Sequence, residues 1–381
     1  MDNIKKLGFG AMRLPLTNEE DQTSIDYEQG IKMVDAFMEA GYNYFDTAYP
    51  YHLGQSEEFL KEALVKKYPR DSFYLADKMP SFSIEKEEDL SRFFNEQLER
   101  CGVDYFDFYL LHNVSNWTKK AFTEIDSFGY MKKMKDEGKI KYLGISYHDD
   151  AEFLEEVLTN HPEIEFVQLQ INYLDWENES IQAKECYEVT RAHNLPVIVM
   201  EPLKGGSVVN IPKKGMDEID KFEGDVSPVS LGLRYAGSLD GVLTVLCGMS
   251  TYEQCIEDIE IMKDFKPIDS NERKLIDKLT TIINDSIAIP CTQCNYCTEV
   301  CENSIPIPVY FQLYNDEELL GYQGFSTPQV YYRTYALTDG IGKASDCTFC
   351  GECIEKCPQH LEIPDLLEDV YIKLEKTMND Y

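Results

Sequence analysis

The sequence is short of positive charge. Its 36 Lys and Arg stand against 69 Asp and Glu, a formal charge of −33 over 381 residues. A polyanion of this kind repels nucleic-acid phosphates and acidic headgroups, and no basic stripe reverses that, so neither nucleic acid nor a membrane surface is an expected partner. Long apolar runs are missing too, and no stretch has the length to cross a bilayer. The first residues, Met1–Pro15, have basic residues but neither the apolar core nor the small-residue cleavage site of a secretory leader. A soluble, cytoplasmic chain is expected. A third absence concerns glycine. Gly8-Phe-Gly10-Ala-Met-Arg13 follows the first strand-like run without a third glycine and without an immediate helix, so the fingerprint of a doubly wound dinucleotide-binding sheet is missing.

Cysteine, by contrast, is plentiful at twelve residues. Disulfides are rare in a reducing compartment, so metal binding is the leading explanation. Cys101, Cys186, Cys247 and Cys255 are scattered and read as small buried residues. The other eight form two sets of C-x₂-C-x₂-C-x₃-C: Cys291, Cys294, Cys297 and Cys301, then Cys347, Cys350, Cys353 and Cys357, with Pro358 following. In this bacterial ferredoxin run, three thiolates of one loop reach three irons of a cubane and the fourth crosses to the other cluster. Cys291, Cys294, Cys297 and Cys357 then hold one [4Fe–4S] cluster, and Cys347, Cys350, Cys353 and Cys301 the second. Zinc is the alternative, but zinc knots use two C-x₂-C pairs rather than two such sets of four. After Cys301 comes Glu302, and the first proline waits until Pro306. The intervening Val309–Leu320 and Pro328–Leu337 look helical, which predicts a mainly helical two-cluster module.

Upstream, eight β-like runs alternate with helix-length segments: Leu7–Met12, Asn43–Asp46, Phe73–Lys78, Asp104–His112, Tyr142–Ser146, Phe166–Asn172, Pro196–Glu201 and Leu243–Gly248. In the first helical segment Ile31, Val34 and Met38 share a face and Gly41 ends it. The fourth, near Phe122–Lys135, closes at Gly138, and a charged helix is expected around Lys263–Lys278. Repeated β-then-α units imply parallel strands with right-handed crossovers, and eight of them close into a (β/α)₈ barrel. The α/β class with a barrel over 1–280 and the cluster module over 281–381 is therefore expected.

Such barrels carry their chemistry at the C-terminal strand ends. Asp46 ends the second strand and Tyr51 follows by five. Lys78 ends the third and His112 the fourth. Reducing a carbonyl by hydride transfer needs a proton donor for the developing alkoxide. Tyrosine is a weak acid near neutrality; a neighbouring ammonium lowers its pKa, and a carboxylate keeps that ammonium charged. Imidazole orients the carbonyl or relays the proton. The roles are Tyr51 as acid/base, Lys78 as its tuner, Asp46 as the lysine's partner and His112 as the carbonyl-orienting group.

Phe45-Asp46-Thr47-Ala48-x-x-Tyr51, Lys78 and Leu110-Leu111-His112 resemble the tetrad of the aldo-keto reductases. Gly144-Ile145-Ser146, Val167-Gln168-Leu169-Gln170, Glu201-Pro202-Leu203-Lys204-Gly205-Gly206, Gly248-Met249-Ser250-Thr251 and Glu253-x-x-x-Glu257 are similar to that family's later strand ends and cofactor loops. The resemblance spans about residues 5–265, and with the cysteine module it is to the subgroup carrying a C-terminal 4Fe–4S dicluster domain. It implies NADH or NADPH as cofactor, with Ser146 and Gln170 on the nicotinamide carboxamide, Leu203 and Gly205 along the pyrophosphate and Glu257 near the adenine. It also implies a carbonyl or alcohol substrate. Departures are Met200 for a stacking tyrosine, Tyr147 for asparagine, and positions 248–254 without a cation for a 2′-phosphate, which leaves NADH open. His52 stands where many members have glycine and is expected on the surface, with contact to substrate as the alternative, while Tyr49 and Trp117 are candidate pocket-lining residues. The main reading is a nicotinamide-dependent reductase whose clusters exchange electrons with a redox partner protein. The alternatives are an electron-transfer protein whose barrel works without nicotinamide, and an oxygen sensor, which would have no use for the tetrad.

Overall fold

The structure is a computed structural model that describes residues 1, 3–18, 21–116, 118–178, 181–291, 293, 295–320, 326–338, 340–357 and 359–376. Among them, eight strands close a parallel barrel in sequence order: β1 (Leu7–Gly10), β2 (Tyr44–Asp46), β3 (Tyr74–Met79), β4 (Phe106–Val114), β5 (Ile140–Tyr147), β6 (Phe166–Gln170), β7 (Val197–Met200) and β8 (Val242–Gly248). Each overlaps its expected run. Helices follow the strands, as parallel neighbours require a crossover.

Side chains alternate along each strand, so residues two apart enter the barrel together. Tyr44, Ala76, Phe108, Leu110, Phe166, Ile198 and Leu246 make the packed interior. Phe108 sits at its centre, its ring 5.1 Å from Tyr44, 5.0 Å from Tyr142 and 5.1 Å from Phe166. Gly144 is required there: a Cβ would meet the Phe166 ring at 2.4 Å.

The first helix, Tyr27–Glu39, is N-capped by Asp26, and Gly41 beyond it takes φ +85°. The fourth expected helix begins later, at Ser127, because Asp126 caps there, accepting from the Gly129 amide. The charged helix expected around 263–278 is two helices, Tyr252–Lys263 and Ser270–Asn284; Pro267 lacks the N–H a continuous helix would need. No helix among the described residues is long and apolar enough to cross a membrane.

The chain forms two compact units, Met1–Leu203 with Val229–Arg273, and Lys204–Pro228 with Lys274–Tyr381. The first contains all eight strands. The second is mainly helical, with Ile307–Leu320, Thr327–Ala336 and Ile363–Val370 around buried Tyr310, Phe311, Tyr332 and Leu367. Within it the segment 204–228 brings the helix Lys213–Asp220, whose Gly215 lies against Leu279, and Lys204 pairs with Asp316 at 3.1 Å.

Candidate active site and cysteine cavities

Period-two alternation carries three polar residues up from the barrel interior: Asp46 two beyond Tyr44, Lys78 two beyond Ala76, His112 two beyond Leu110. Lys78 is 1% exposed. Its ammonium donates to Asp46 Oδ1 at 2.5 Å, to the Thr47 carbonyl at 2.7 Å and to the Tyr51 hydroxyl at 3.4 Å, so each of its three hydrogens has an acceptor. The same nitrogen lies 4.8 Å from the Tyr51 ring centroid. The Tyr51 and His112 rings meet edge-on, centroids 6.0 Å apart at 84°.

Burial governs the electrostatics here. It opposes the charge on Lys78, but Asp46 and Tyr51 outweigh it and hold the ammonium above its usual range. Asp46 is lifted by burial, with Lys78 opposing. Tyr51 is lifted as well: burial is the largest influence, and the Lys78 ammonium offsets it only in part. A lysine-lowered tyrosine is what the sequence suggests; desolvation of the phenolate wins instead because Lys78 and Asp46 are buried and Tyr51 beside them is only partly exposed. Burial, with Lys78 and His148 adding to it, keeps His112 well below the usual histidine range, so its imidazole is neutral. His148, at the end of β5, is pushed down to about 4 by burial and Lys78.

His112 owes its place to an irregular step. Leu111 pairs with Ile145 but Val114 with Tyr147, so β4 has one residue more than β5 between them, a bulge that re-aims side chains. Asn113 takes φ +52° and its N–H donates to Ser146 Oγ at 2.8 Å, while Ser81 Oγ donates to the His112 carbonyl. Phe82 stands edge-on to the imidazole at 5.6 Å.

Of the residues expected at a nicotinamide, Ser146 is buried at the end of β5. Gln170 is committed elsewhere, its amide donating to Asp175 at 2.8 Å beside Asn172 at 2.7 Å. Gln168, one turn of the pleat deeper, is 2% exposed and its Oε1 has no partner. Leu203 is half-buried in the barrel unit, and Gly205, at φ +64°, belongs to the other. Glu257 is exposed, while its neighbour Asp258 is buried and pushed up to about 7 by desolvation. Segment 248–254 has no cation of its own, yet Arg13 lies against it: a Cβ on Gly248 would meet the Arg13 side chain at 3.1 Å, and Ser250 Oγ donates to the Arg13 carbonyl at 3.2 Å. Gln168, His148, Asp175 and Arg13 had no distinctive spacing in the sequence.

At the rim, half-buried Tyr49 packs on Phe93, centroids 4.9 Å apart, and donates to Glu96 at 2.9 Å, bracing the helix Glu87–Cys101. The surface expectation for His52 is corrected. His52 is 5% exposed, not on the surface; two main-chain bonds draw it inward. Trp117 lies outside the described residues.

In the second unit the two cysteine sets repeat one backbone. Gln293 and Phe349, each just before a second cysteine, have φ +58° and +57°; Asn295 and Gly351 follow at +63° and +80°; Ser304 and His360, three beyond each fourth cysteine, have +52° and +54°. Short helices Tyr296–Glu299 and Glu352–Lys356 match, and Ile307-Pro308 and Ile363-Pro364 each start a longer helix. Two cavities result. One is lined by Cys347, Cys350 and Cys353 together with Cys301. The other is lined by Cys291, Cys297 and Cys357. Cys294 and Pro358 lie outside the described residues. Each cavity thus gathers thiols of one loop with the fourth cysteine of the other, a donor set that suits an iron–sulfur cubane. The four scattered cysteines, Cys101, Cys186, Cys247 and Cys255, are all buried.

Comparison with known proteins adds the family. The model of the aldo/keto reductase family matches residues 6–281, and that of the 4Fe-4S dicluster domain residues 290–361. Aldo-keto reductase str7 of Strobilurus tenacellus is 30% identical over 246 residues, 59% of this chain and 68% of that one. The NADH-specific methylglyoxal reductase of Escherichia coli (strain K12) is 29% identical over 194 residues, 45% of this chain. The chain spans only 57% of the length of that relative. The holo form of aldo-keto reductase AKR11C1 from Bacillus halodurans superposes with a TM-score of 0.57 at 26% identity, covering 72% of this chain and 91% of its own.

Proposed function

This chain belongs to the aldo/keto reductase family and carries a 4Fe-4S dicluster domain, and we propose that it moves a hydride between NADH or NADPH and a small carbonyl or alcohol, with Tyr51 as acid/base. We propose further that the domain division falls near residue 281 and that the eight motif cysteines hold two [4Fe–4S] clusters in the crossed pattern, serving a redox partner in the cytoplasm. The observation that carries this reading is the buried Lys78 ammonium joined at once to Asp46, Thr47 and Tyr51.

When bound, the nicotinamide would supply the hydride that reduces the carbonyl, and the clusters, held by the motif cysteines, would separately carry single electrons to or from a redox partner. The protein's own residues handle the proton and the carbonyl. Tyr51, lifted by burial, enters as a protonated phenol and donates to the oxygen that becomes alkoxide. Lys78 stands ready to stabilise the phenolate left behind, and Asp46 fixes it there. Neutral His112 donates one ring N–H to the carbonyl oxygen and so orients it. Ser146 and Gln168 suit the carboxamide; the commitment of Gln170 to Asp175 favours Gln168 over it. Leu203, Gly205 and Glu257 are the proposed contacts further along the dinucleotide, and Arg13, which lies against Gly248 and Ser250, is the proposed cation for its phosphates.

A panel of small aldehydes and dicarbonyls, methylglyoxal among them because of the Escherichia coli relative, tests this with NADH and NADPH under anaerobic conditions. Turnover abolished in Tyr51→Phe with nicotinamide binding intact supports the reading. Binding of neither nicotinamide favours the second reading, an electron-transfer protein, for which the cation-free 248–254 segment and Met200 argue.

A further inference from the structure

The turn that presents Tyr51 is strained, and one side chain fastens it. His52 and Leu53 both adopt left-handed backbone, φ +51° and +53°, and Gly54 follows at φ +90°. Leu53, a bulky residue for that region, is 76% exposed, so burial of its own side chain cannot stabilise it. Non-glycine residues in this conformation are strained and persist only where the surroundings over-determine them. The fastening comes from the His52 imidazole. Its Nε2 accepts the Leu14 N–H at 3.2 Å, and its Nδ1 lies 2.9 Å from the Gln22 carbonyl. One nitrogen must accept and the other donate, so the ring is neutral with its hydrogen on Nδ1. Its partners lie on the segment after β1, which is itself closed by Thr17 and Ser24 and by the Asp26 N–H to Pro15 carbonyl bond at 2.7 Å. Just beyond the turn, Ser56 Oγ contacts Thr47 Oγ1 at 2.8 Å and donates to the Ala11 carbonyl at 3.1 Å. The turn is thus tied at two points to the chain leaving β1.

We propose that His52 is a positioning residue for Tyr51: the two main-chain bonds of its imidazole hold the 51–54 turn against the Leu14–Gln22 segment and so fix the phenol over Lys78. The proposal rests on the role given to Tyr51 above. It predicts that the geometry of the hydrogen bonds, and not the bulk of the ring, is what matters. His52→Leu removes both bonds. His52→Gln keeps an acceptor near the place of Nε2, and His52→Asn keeps a donor near the place of Nδ1.

The test uses the anaerobically purified holoprotein labelled with ¹³Cζ-tyrosine, the Tyr51 resonance being assigned with Tyr51→Phe. His52→Leu is expected to shift or broaden that resonance and to lower kcat for carbonyl reduction at least tenfold. Iron content and nicotinamide affinity stay within about twofold of wild type. His52→Gln is expected to restore most of both, with protection of the Leu14 amide from hydrogen exchange retained; His52→Asn loses that protection. An unmoved Tyr51 resonance with unchanged kcat in His52→Leu overturns the proposal. So does equal loss in the Leu and Gln variants alongside lost nicotinamide affinity, which would mark His52 as packing only. Should His52→Leu not fold, the Gln and Asn variants decide, because loss of Leu14 protection in Asn without movement of the Tyr51 resonance also overturns it. If wild type reduces no carbonyl, the reductase reading fails by itself, and the Tyr51 resonance still decides whether His52 positions the phenol.

Discussion

At the scale of single residues, the site rests on a charge that water would normally own. Lys78 is 1% exposed and its pair with Asp46 is wholly interior. Breaking a buried pair by removing one partner costs about 3–5 kcal/mol, because the other charge is left uncompensated. Lys78→Met is therefore expected to lower the denaturation midpoint sharply as well as activity, whereas Tyr51→Phe should cost about 10²–10⁴ in kcat with little change in stability; paired denaturation and kinetic measurements separate the two. Tyr51 lies above its ordinary value, so the acid form persists past about pH 10, the usual tyrosine range. Carbonyl reduction is then expected to keep a plateau on the alkaline side while the reverse oxidation, which needs the phenolate, climbs; a pH–rate profile with an alkaline limb below the tyrosine range would contradict this. The grouping of these four was legible because Asp46, Lys78 and His112 end strand-like runs, with Tyr51 five residues beyond Asp46, and strand ends converge on a barrel. Gln168 and Gln170 were not separable: period-two alternation sends both inward, and only depth, with Asp175 taking the Gln170 amide, tells them apart. The burial of His52 is not legible in the sequence, because its two partners are the main-chain groups of Leu14 and Gln22, which leave no trace there.

At the scale of elements, small polar side chains hold the irregular steps. The β4 bulge depends on Ser146 accepting the Asn113 N–H. Ser146→Ala leaves that N–H without an acceptor, at a cost of about 1–3 kcal/mol, and is expected to lower the denaturation midpoint and loosen His112 together. Asp258, on the helix Tyr252–Lys263, offers a cleaner sign. Burial lifts it to about 7, above the unfolded value of about 3.9. Between those values the folded chain keeps a proton that the unfolded chain has released, so this group's contribution to stability falls as pH rises through the window and levels off above it. Asp258→Asn is expected to remove that slope and raise the thermal midpoint at pH 8; an unchanged midpoint would count against a buried neutral carboxyl. The strand sequence was readable from alternation and length. The break at Pro267 and the late start at Ser127 turn on a single proline and a single capping aspartate, signals that periodicity over a longer window averages away.

At the scale of the whole molecule, two units stand on different foundations. The barrel is a large apolar interior closed on itself. The second unit counts Cys297 and Cys353 among its buried core residues, so thiolates bound to iron would form part of its centre. Removing iron with a chelator under anaerobic conditions is expected to abolish the thermal transition of the cysteine-bearing unit and to leave that of the barrel, as calorimetry on the full chain would register; retention of both transitions would argue against clusters as part of that core. The grouping of cysteines about the two cavities agrees with the crossed pattern that their spacing suggests, whereas the membership of Lys204–Pro228 in the second unit was not legible, since no composition shift marks it.

The proposed chemistry requires that the Tyr51–Lys78–Asp46 group work on a nicotinamide. The most direct measurement is an anaerobic single turnover, mixing the holoprotein and NADH, then NADPH, with the carbonyl panel and following nicotinamide absorbance in wild type and Tyr51→Phe. Rapid oxidation in wild type, slowed at least about a hundredfold in Tyr51→Phe with equal nicotinamide affinity, is the predicted result. Equal rates in the two proteins, or no binding of either nicotinamide, would contradict it.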